Sequence, residues 1–431
     1  MSANALSTSC CIVGAGPCGL MLGFLLGRAG VDVTVLEKHG DFLHDFRGDI
    51  IHPSTLEVIA ELGLLEEFLE LPHQKEEVIT EQFGSREYTW VDYRHLPTRA
   101  KFLAMMPQWD FLDFLAKRGR KYPCFRLLMR TEGVGLLADG DRVAGARART
   151  PEGPIEIGAD LTVACDGRGS LIRACAGLVP KELGAPMDSL WFRMPKRAND
   201  PPKTTSRLEA GRSIILLDRG DYWQCAFLIV KGSIEEVQRA GLPALRRDIA
   251  RLVPSFADRV EELADWSELN LLSTAVNRLE RWYRPGLLCI GDAAHAMSPV
   301  LGVGVSLAVQ DAVAAANILW RPLTMRNLRE SDLRSVQRRR QFPIWATQQV
   351  QLTLHRSIDR LLHAEGPLEA PLPVRMLGRF PRLRRIPARL MGMGFRPEHV
   401  RTPEVEVAPG LAGRLPEAAQ AASSGPQAIG G

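Results

Sequence analysis

No two of the eight cysteines in this chain (Cys10, Cys11, Cys18, Cys124, Cys165, Cys175, Cys225 and Cys289) stand at CxxC spacing. Most lie in apolar stretches, as reduced core thiols do, which points to a cytoplasmic protein and away from a disulfide framework. Cys18 and Cys165 fall inside candidate phosphate loops, but redox work needs an activated thiolate, so packing is the expected role. An excess of one charge is also missing. With 54 basic and 50 acidic residues and a formal charge of +4, composition makes no case for nucleic acid as a partner. No metal site is expected. Residues 11–30 are apolar, but glycines interrupt them and no basic region precedes them, so strand, turn and helix fit better than a membrane span or a signal.

What is present is 431 residues with 45% apolar and 24% charged content, enough for two or more lobes around a large core. Cys10 to Val13 read as a short strand. Gly14-Ala15-Gly16-Pro17-Cys18-Gly19 follows, and Leu20 to Gly27 carry a helical pattern. A second strand, Val31 to Leu36, ends at Glu37, about twenty residues past the loop, the distance a dinucleotide fingerprint requires. In that fingerprint Gly14 permits the turn, Gly16 lets a pyrophosphate approach the backbone, and Gly19 lets helix and strand pack closely. Glu37, with Lys38 beside it, would hold the ribose.

Two further segments repeat the strand-then-turn logic. Leu161 to Ala164 lead into Cys165-Asp166-Gly167-Arg168-Gly169-Ser170, and Arg173 lies in the helix that opens there. Leu287 to Ile290 lead into Gly291-Asp292-Ala293-Ala294-His295, followed by Pro299, Gly302, Gly304 and a small-residue helix from Val305 to Leu319 containing Asp311. Alone, Asp166-Gly167 would read as an ordinary turn. In that order, the three segments describe one nucleotide site at strand ends, with a helix N-terminus facing an electron-rich ring.

At these residues the chain resembles the class A flavoprotein monooxygenases, the aromatic hydroxylases of the para-hydroxybenzoate hydroxylase type, over roughly residues 8–360. The resemblance implies an α/β fold, α+β overall. A Rossmann-like FAD-binding domain (1–75, 96–180 and 270–365) would hold an inserted, mainly antiparallel substrate sheet (76–95 and 181–269). A C-terminal helical segment (366–402) and a disordered tail (403–431) would follow. It implies FAD as cofactor and NADH or NADPH as electron donor. Gly14, Gly16, Gly19 and Glu37 would bind the ADP part, Asp166 and Gly167 both nucleotides, and Asp292 the ribityl chain. Pro299 through Gly304 would line the isoalloxazine, with Gly302 and Gly304 in contact. Arg47 looks like the family arginine that meets the flavin and helps place the nicotinamide, and Gln108, just ahead of a helix at Trp109 to Lys117, like its flavin-contacting polar residue. Many relatives carry Asn where this chain has Ser306, and a small residue where it has Leu301.

The implied reaction inserts one oxygen atom from dioxygen into an aromatic or other electron-rich small molecule by way of a flavin hydroperoxide. The Pro299 carbonyl is a candidate acceptor for a phenolic proton. No side-chain base stands out: His52 and His295 lie near flavin motifs, where a histidine is more often structural. Strand-like stretches at Glu77 to Tyr93 and Ser189 to Lys231 supply the pocket candidates Trp191, Phe192, Tyr222, Trp223 and Gln224, and the bulkier Leu301 would narrow the substrate space. Alternation turns half of any strand away, so each of these stands at even odds with plain core. Helices are expected at Ile234 to Ala240, Leu242 to Leu252 and across 324–365. Residues 374–396 are basic and amphipathic, and packing on the domain is favoured over contact with a lipid surface because Pro381 and Pro387 interrupt them. The alternatives are a reductase or halogenase on the same scaffold, or an FAD-binding protein without turnover; the GWxWxIP halogenase signature is absent. The chain would act as a monomer or homodimer.

Overall fold

The computed structural model describes residues 5–43, 50–200 and 204–406. Arg47 lies outside them. The buried apolar run that ends at Val13 forms the strand Ala5–Val13, the centre of a mostly parallel sheet. It pairs in parallel with Gly153–Ala164 on one side and Val33–Leu36 on the other. Phe125–Leu128 extends the sheet beyond Val33–Leu36, and Leu287–Cys289 extends it beyond Gly153–Ala164. Strands buried on both faces need continuous apolar sequence, which is why these segments do not alternate.

Helices cover the sheet. Pro17–Arg28 packs between Gly304–Thr324 and Gln108–Gly119. Gly304–Thr324 is long and apolar enough to cross a membrane by composition, but it is a core helix, buried along most of its length. The charged helix Glu330–Leu362 packs along it, and residues 398–405 strap the nucleotide half through Val405 N–H to the Arg28 carbonyl and Arg28 to the Thr402 carbonyl. Of the tail expected to be disordered, residues 403–405 are held by these bonds, and residues 407–431 lie outside the described ones.

The second sheet has seven strands: Asn270–Leu272, Met187–Pro195, Tyr222–Val230, Arg212–Asp218, Thr205–Glu209, Val78–Phe83 and Arg86–Asp92, in that spatial order. One pairing, Thr205–Glu209 with Val78–Phe83, is parallel and the rest are antiparallel. One face packs under Leu242–Leu252; Leu190, Phe192, Met194, Ile214, Leu216, Trp223, Cys225 and Phe227 form that core. The other face turns toward the nucleotide half. Helices Leu372–Arg379 and Arg385–Gly392 pack on the strand Arg86–Asp92, with Ala388 and Met391 buried against Val91, Tyr93 and Leu217. The basic segment is thus a wall of the sheet, with Arg379, Arg382, Arg385 and Arg389 exposed and Arg384 half-buried.

Candidate active site

Parallel register brings the sequence motifs to one edge. Gly14 follows Val13, Glu37 follows Leu36, Cys165 follows Ala164, and Gly291 lies two residues past Cys289, all at the carboxyl ends of neighbouring strands. That crevice is where doubly wound sheets bind nucleotides. The glycines divide by what a Cβ would meet. At Gly14, with φ +101°, it would lie 2.5 Å from the Cys165 carbonyl oxygen, and at Gly19 it would lie 1.9 Å from the Gly14 oxygen. These two are packing glycines. At Gly16, Gly167 and Gly169 nothing comes within 4 Å. Their bare backbone faces open space beside the N-terminus of Pro17–Arg28, which fits a pyrophosphate.

Glu37 is buried and its carboxylate accepts from Ala15 N–H at 3.1 Å and His39 N–H at 3.0 Å, tying the second strand to the glycine loop. Lys38 is exposed. Asp166 turns inward: one oxygen accepts from Ser170 Oγ at 2.5 Å, the other from Ile172 N–H at 3.1 Å. Its carboxylate therefore shapes its own loop. Arg173, in the helix Leu171–Cys175, fastens that loop to the next one, donating to the Ala293 carbonyl at 3.0 Å and the Arg168 carbonyl at 2.8 Å. Arg168 Nε in turn meets the half-exposed Asp292 carboxylate at 3.1 Å. Cys18 packs under Gly291, and burial first, then Cys165 beside it, push its thiol well up, so it is an inert packing group.

Beneath Gly291 lies a charged cluster that motif reading did not assemble. Asp311 accepts from Gly291 N–H at 3.1 Å, from His295 Nε2 at 2.5 Å and from Arg340 Nε at 2.8 Å, all buried. Burial works to raise Asp311, but His295 and Arg340 outweigh it and hold the carboxyl below its usual range. Arg340 also reaches Glu398, at 3.4 Å. His295, pinned to Asp311 and almost wholly buried, is a structural group. The sequence shows Arg340 only as part of the charged helical stretch across 324–365, expected to pack on the nucleotide half.

The Ser298–Gly304 turn is held from both sides. Gln351 Nε2 donates to the carbonyls of Ser298 at 3.0 Å and Val300 at 2.9 Å, and His355 Nε2 lies 2.8 Å from Ser298 Oγ. His52 Nε2 donates to the Gly302 carbonyl at 3.1 Å from the opposite side. Burial lowers His52 to about 4, against the carbonyls of Gly302, Leu301 and Met391. It is a neutral tether, its Nε2 proton committed to the Gly302 carbonyl. The Pro299 carbonyl already accepts from Gly302 N–H at 2.9 Å, leaving one lone pair for a ligand. Leu301 takes φ +72° and Gly302 φ +63°, where a Cβ would meet Ile50 Cδ1 at 2.7 Å. Gly304 opens its helix, and Ser306 accepts from Thr55 Oγ1 at 3.2 Å, so the hydroxyl that replaces an amide is used to join two helices. Gln108 is buried as the first residue of its helix.

The pocket candidates separate by face. Trp191 packs with Ile50, Ile215, Leu217 and Leu301 on the side of the turn. Gln224 and Tyr222 share that face, Gln224 accepting from Arg219 Nε at 3.1 Å and Tyr222 lying under Arg193, 4.9 Å from its guanidinium. Trp223 and Phe192 do not line the pocket: both belong to the core under Leu242–Leu252, and Trp223 Nε1 donates to Asp200 at 2.9 Å. Strand alternation sends them to the far side.

Comparisons with known proteins follow the same lines. The model of the FAD binding domain family matches residues 7–349. The chain is 32% identical over 343 residues to the 6-methylpretetramide 4-monooxygenase of Streptomyces rimosus, covering 78% of this chain and 81% of that protein. It is 26% identical over 333 residues to the dialkyldecalin synthase of Streptomyces rugosporus, across 73% of this chain, and spans 65% of that protein's length. The p-nitrophenol 4-monooxygenase PnpA from Pseudomonas putida DLL-E4 shares the fold, with TM-score 0.74 at 19% identity over 89% of this chain and 97% of that one.

Proposed function

The chain belongs to the FAD binding domain family, as one of its class A monooxygenases, and from that premise we propose that it takes electrons from NADH or NADPH and transfers one oxygen atom of dioxygen to a phenolic aromatic molecule lying between the seven-stranded sheet and the Ser298–Gly304 turn. When bound, FAD supplies hydride acceptance and the activation of dioxygen, which side chains cannot provide. The protein binds, orients and shields. Gly14 to Gly19 and the Pro17–Arg28 N-terminus would hold the pyrophosphate, Glu37 the ribose, and Asp292 the ribityl chain. Gln108, Gly302, Gly304 and the N-terminus of Gly304–Thr324 would border the ring system. Arg47 would place the nicotinamide, and Asp166 and Gly167 would shape the neighbouring loop.

One observation carries this reading: loops with open glycine backbone gather at the strand ends, and the turn that follows one of them brings Leu301 against a sheet face lined by Trp191, Ile215 and Leu217. Such a wall excludes water from the reacting ring. The phenolic substrate class is supported by a relative named for a hydroxyphenyl substrate, the 3-(3-hydroxy-phenyl)propionate/3-hydroxycinnamic acid hydroxylase of Burkholderia cenocepacia, 27% identical over 333 residues, 74% of this chain and 57% of that protein. A synthase among the relatives makes labelled oxygen the deciding readout. FAD-loaded protein given NAD(P)H, labelled dioxygen and a panel of phenols is expected to return one label per product molecule. Consumption of NAD(P)H with no label in any product would overturn the assignment, and Arg47→Ala is expected to slow flavin reduction with the fold kept.

A further inference from the structure

Across six strands of the second sheet, directly paired residues form one row: Tyr88, Glu81, Ser206, Ile215, Ala226 and Trp191. Direct partners point to the same side of a sheet. Ile215 and Trp191 pack with Leu301, which fixes that side as the one facing the Ser298–Gly304 turn. The flanking rows confirm it, since Leu217 joins the Leu301 cluster while Leu208 and Leu228 join Val300. The turn thus straddles the row. One end of the row is polar, with Tyr88, Glu81 and Ser206, and the other apolar, with Ile215, Ala226 and Trp191.

Glu81 is half-buried, as a side chain lining an interior space is. Among the described residues its carboxylate has no hydrogen-bond or ion-pair partner. A carboxylate that lines such a space without a protein partner is open to a ligand that donates to it. Resting on the phenolic reading above, we propose that Glu81 is a catalytic residue, contacting the hydroxyl of the bound ring and accepting its proton as oxygen transfer begins. The substrate O–H bond breaks with its electron pair left on the ring oxygen, an O–H bond forms at Glu81, and water takes the proton after turnover. The apolar end of the row would hold the rest of the ring system.

Burial alone raises Glu81 to about 7, which suits a base working near neutrality. Tyr88 lies directly across the strand pair from Glu81, and Arg86, Glu87, Arg375, Arg379 and Arg384 line a groove together with Tyr88. His52, behind the turn, stays neutral above about 4. None of them moves Glu81.

The test uses FAD-loaded protein with 1-naphthol as probe and naphthalene, which lacks the hydroxyl, as control. Wild-type affinity for 1-naphthol is expected to rise roughly ten-fold between about pH 6 and pH 8 as the carboxylate becomes a charged acceptor. Glu81→Gln should stay flat at the weaker level, Glu81→Asp should keep a pH dependence, and naphthalene should bind all three alike. Equal affinity and equal pH dependence for 1-naphthol in wild type and Glu81→Gln overturns the role of Glu81 and leaves the aromatic site standing. Failure of wild type to bind either probe overturns both.

Discussion

Alanine substitutions in the first glycine loop separate folding from cofactor binding, because the three glycines meet different surroundings. At Gly19 the new Cβ would lie 1.9 Å from the Gly14 oxygen, so Pro17–Arg28 would have to withdraw by about 1.5 Å to restore ordinary contact. Residues Cys18 through Gly27 of that helix are all buried, so the shift disturbs the whole helix–sheet interface and costs about 3 kcal/mol. Gly14→Ala adds a left-handed backbone penalty of about 1–2 kcal/mol to its overlap with Cys165. Gly16 has φ −69° and ψ −175°, which alanine adopts freely, and nothing lies near its Cβ. Gly16→Ala should therefore change stability by less than about 1 kcal/mol, the usual difference between alanine and glycine at an N-cap. Its methyl group fills the space intended for the pyrophosphate, and FAD affinity should fall roughly ten- to a hundred-fold, about 1.4–2.8 kcal/mol. Urea unfolding of the flavin-free protein measures the first quantity and quenching of flavin fluorescence the second. The reasoning fails if Gly16→Ala binds FAD as tightly as the parent, or if it loses as much stability as Gly19→Ala.

Three further outcomes follow from the supporting contacts. His52 has a folded pKa of about 4 against 6.5 when free, so the unfolded chain takes up the proton first as pH falls. Stability should be flat above about pH 6.5 and decline by up to about 3 kcal/mol toward pH 4, and His52→Asn, which keeps a donor for Gly302, should remove that slope in pH-dependent urea melts. Arg340→Met strips Asp311 of a buried partner and should cost about 3 kcal/mol by thermal or urea unfolding. Because the folded Asp311 carboxyl is depressed, its contribution is present above about pH 3.8 and lost as pH falls through the lower folded value; without Arg340 that loss begins at higher pH. Trp191→Ala should leave the fold intact but release more hydrogen peroxide per NAD(P)H consumed, whereas Trp223→Phe should lower stability by about 1–2 kcal/mol, losing the bond to Asp200, without changing coupling. Equal peroxide yields from the two variants would show that the face assignment is wrong.

The strand-end loops of the nucleotide half were legible in the sequence, whereas the two faces of the second sheet were not, for a physical reason. Gly14, Glu37, Asp166 and Asp292 are each next to an apolar strand in the chain, and parallel pairing carries every such strand end to the same edge. Local sequence therefore contained the site. The second sheet gave no comparable signal, since Trp191 and Trp223 both sit in aromatic, β-branched runs and differ only in parity along paired strands. Register decides between them, and register is a long-range property. The same holds for Arg340 and Glu398, which join Asp311 only through tertiary packing. One clue was readable: Gln348, Gln351 and His355 recur at helical spacing as uncharged polar residues in a charged helix, and they are the groups that reach Asn277, Ser298 and Val300.

The turn those residues hold explains why so many polar side chains are buried around it. Leu301 occupies a left-handed conformation that costs a branched residue about 1–2 kcal/mol, and a chain segment left to itself would relax. Here relaxation is opposed at successive carbonyls: Ser298 and Val300 are gripped by Gln351, and Gly302 by His52. These anchors come from helices on opposite sides, Glu330–Leu362 and the start of Pro53–Glu61, while Ser306 joins the following helix to Thr55. Holding Leu301 in that conformation aims its side chain into the cluster of Trp191, Ile215 and Leu217, so the strained residue is also the contact between turn and sheet. A flexible turn would let water in along that seam. The buried glutamine and histidines are therefore best understood as fixing one wall of the reaction space, at a strain that their hydrogen bonds, each contributing about 1 kcal/mol, are sufficient to offset.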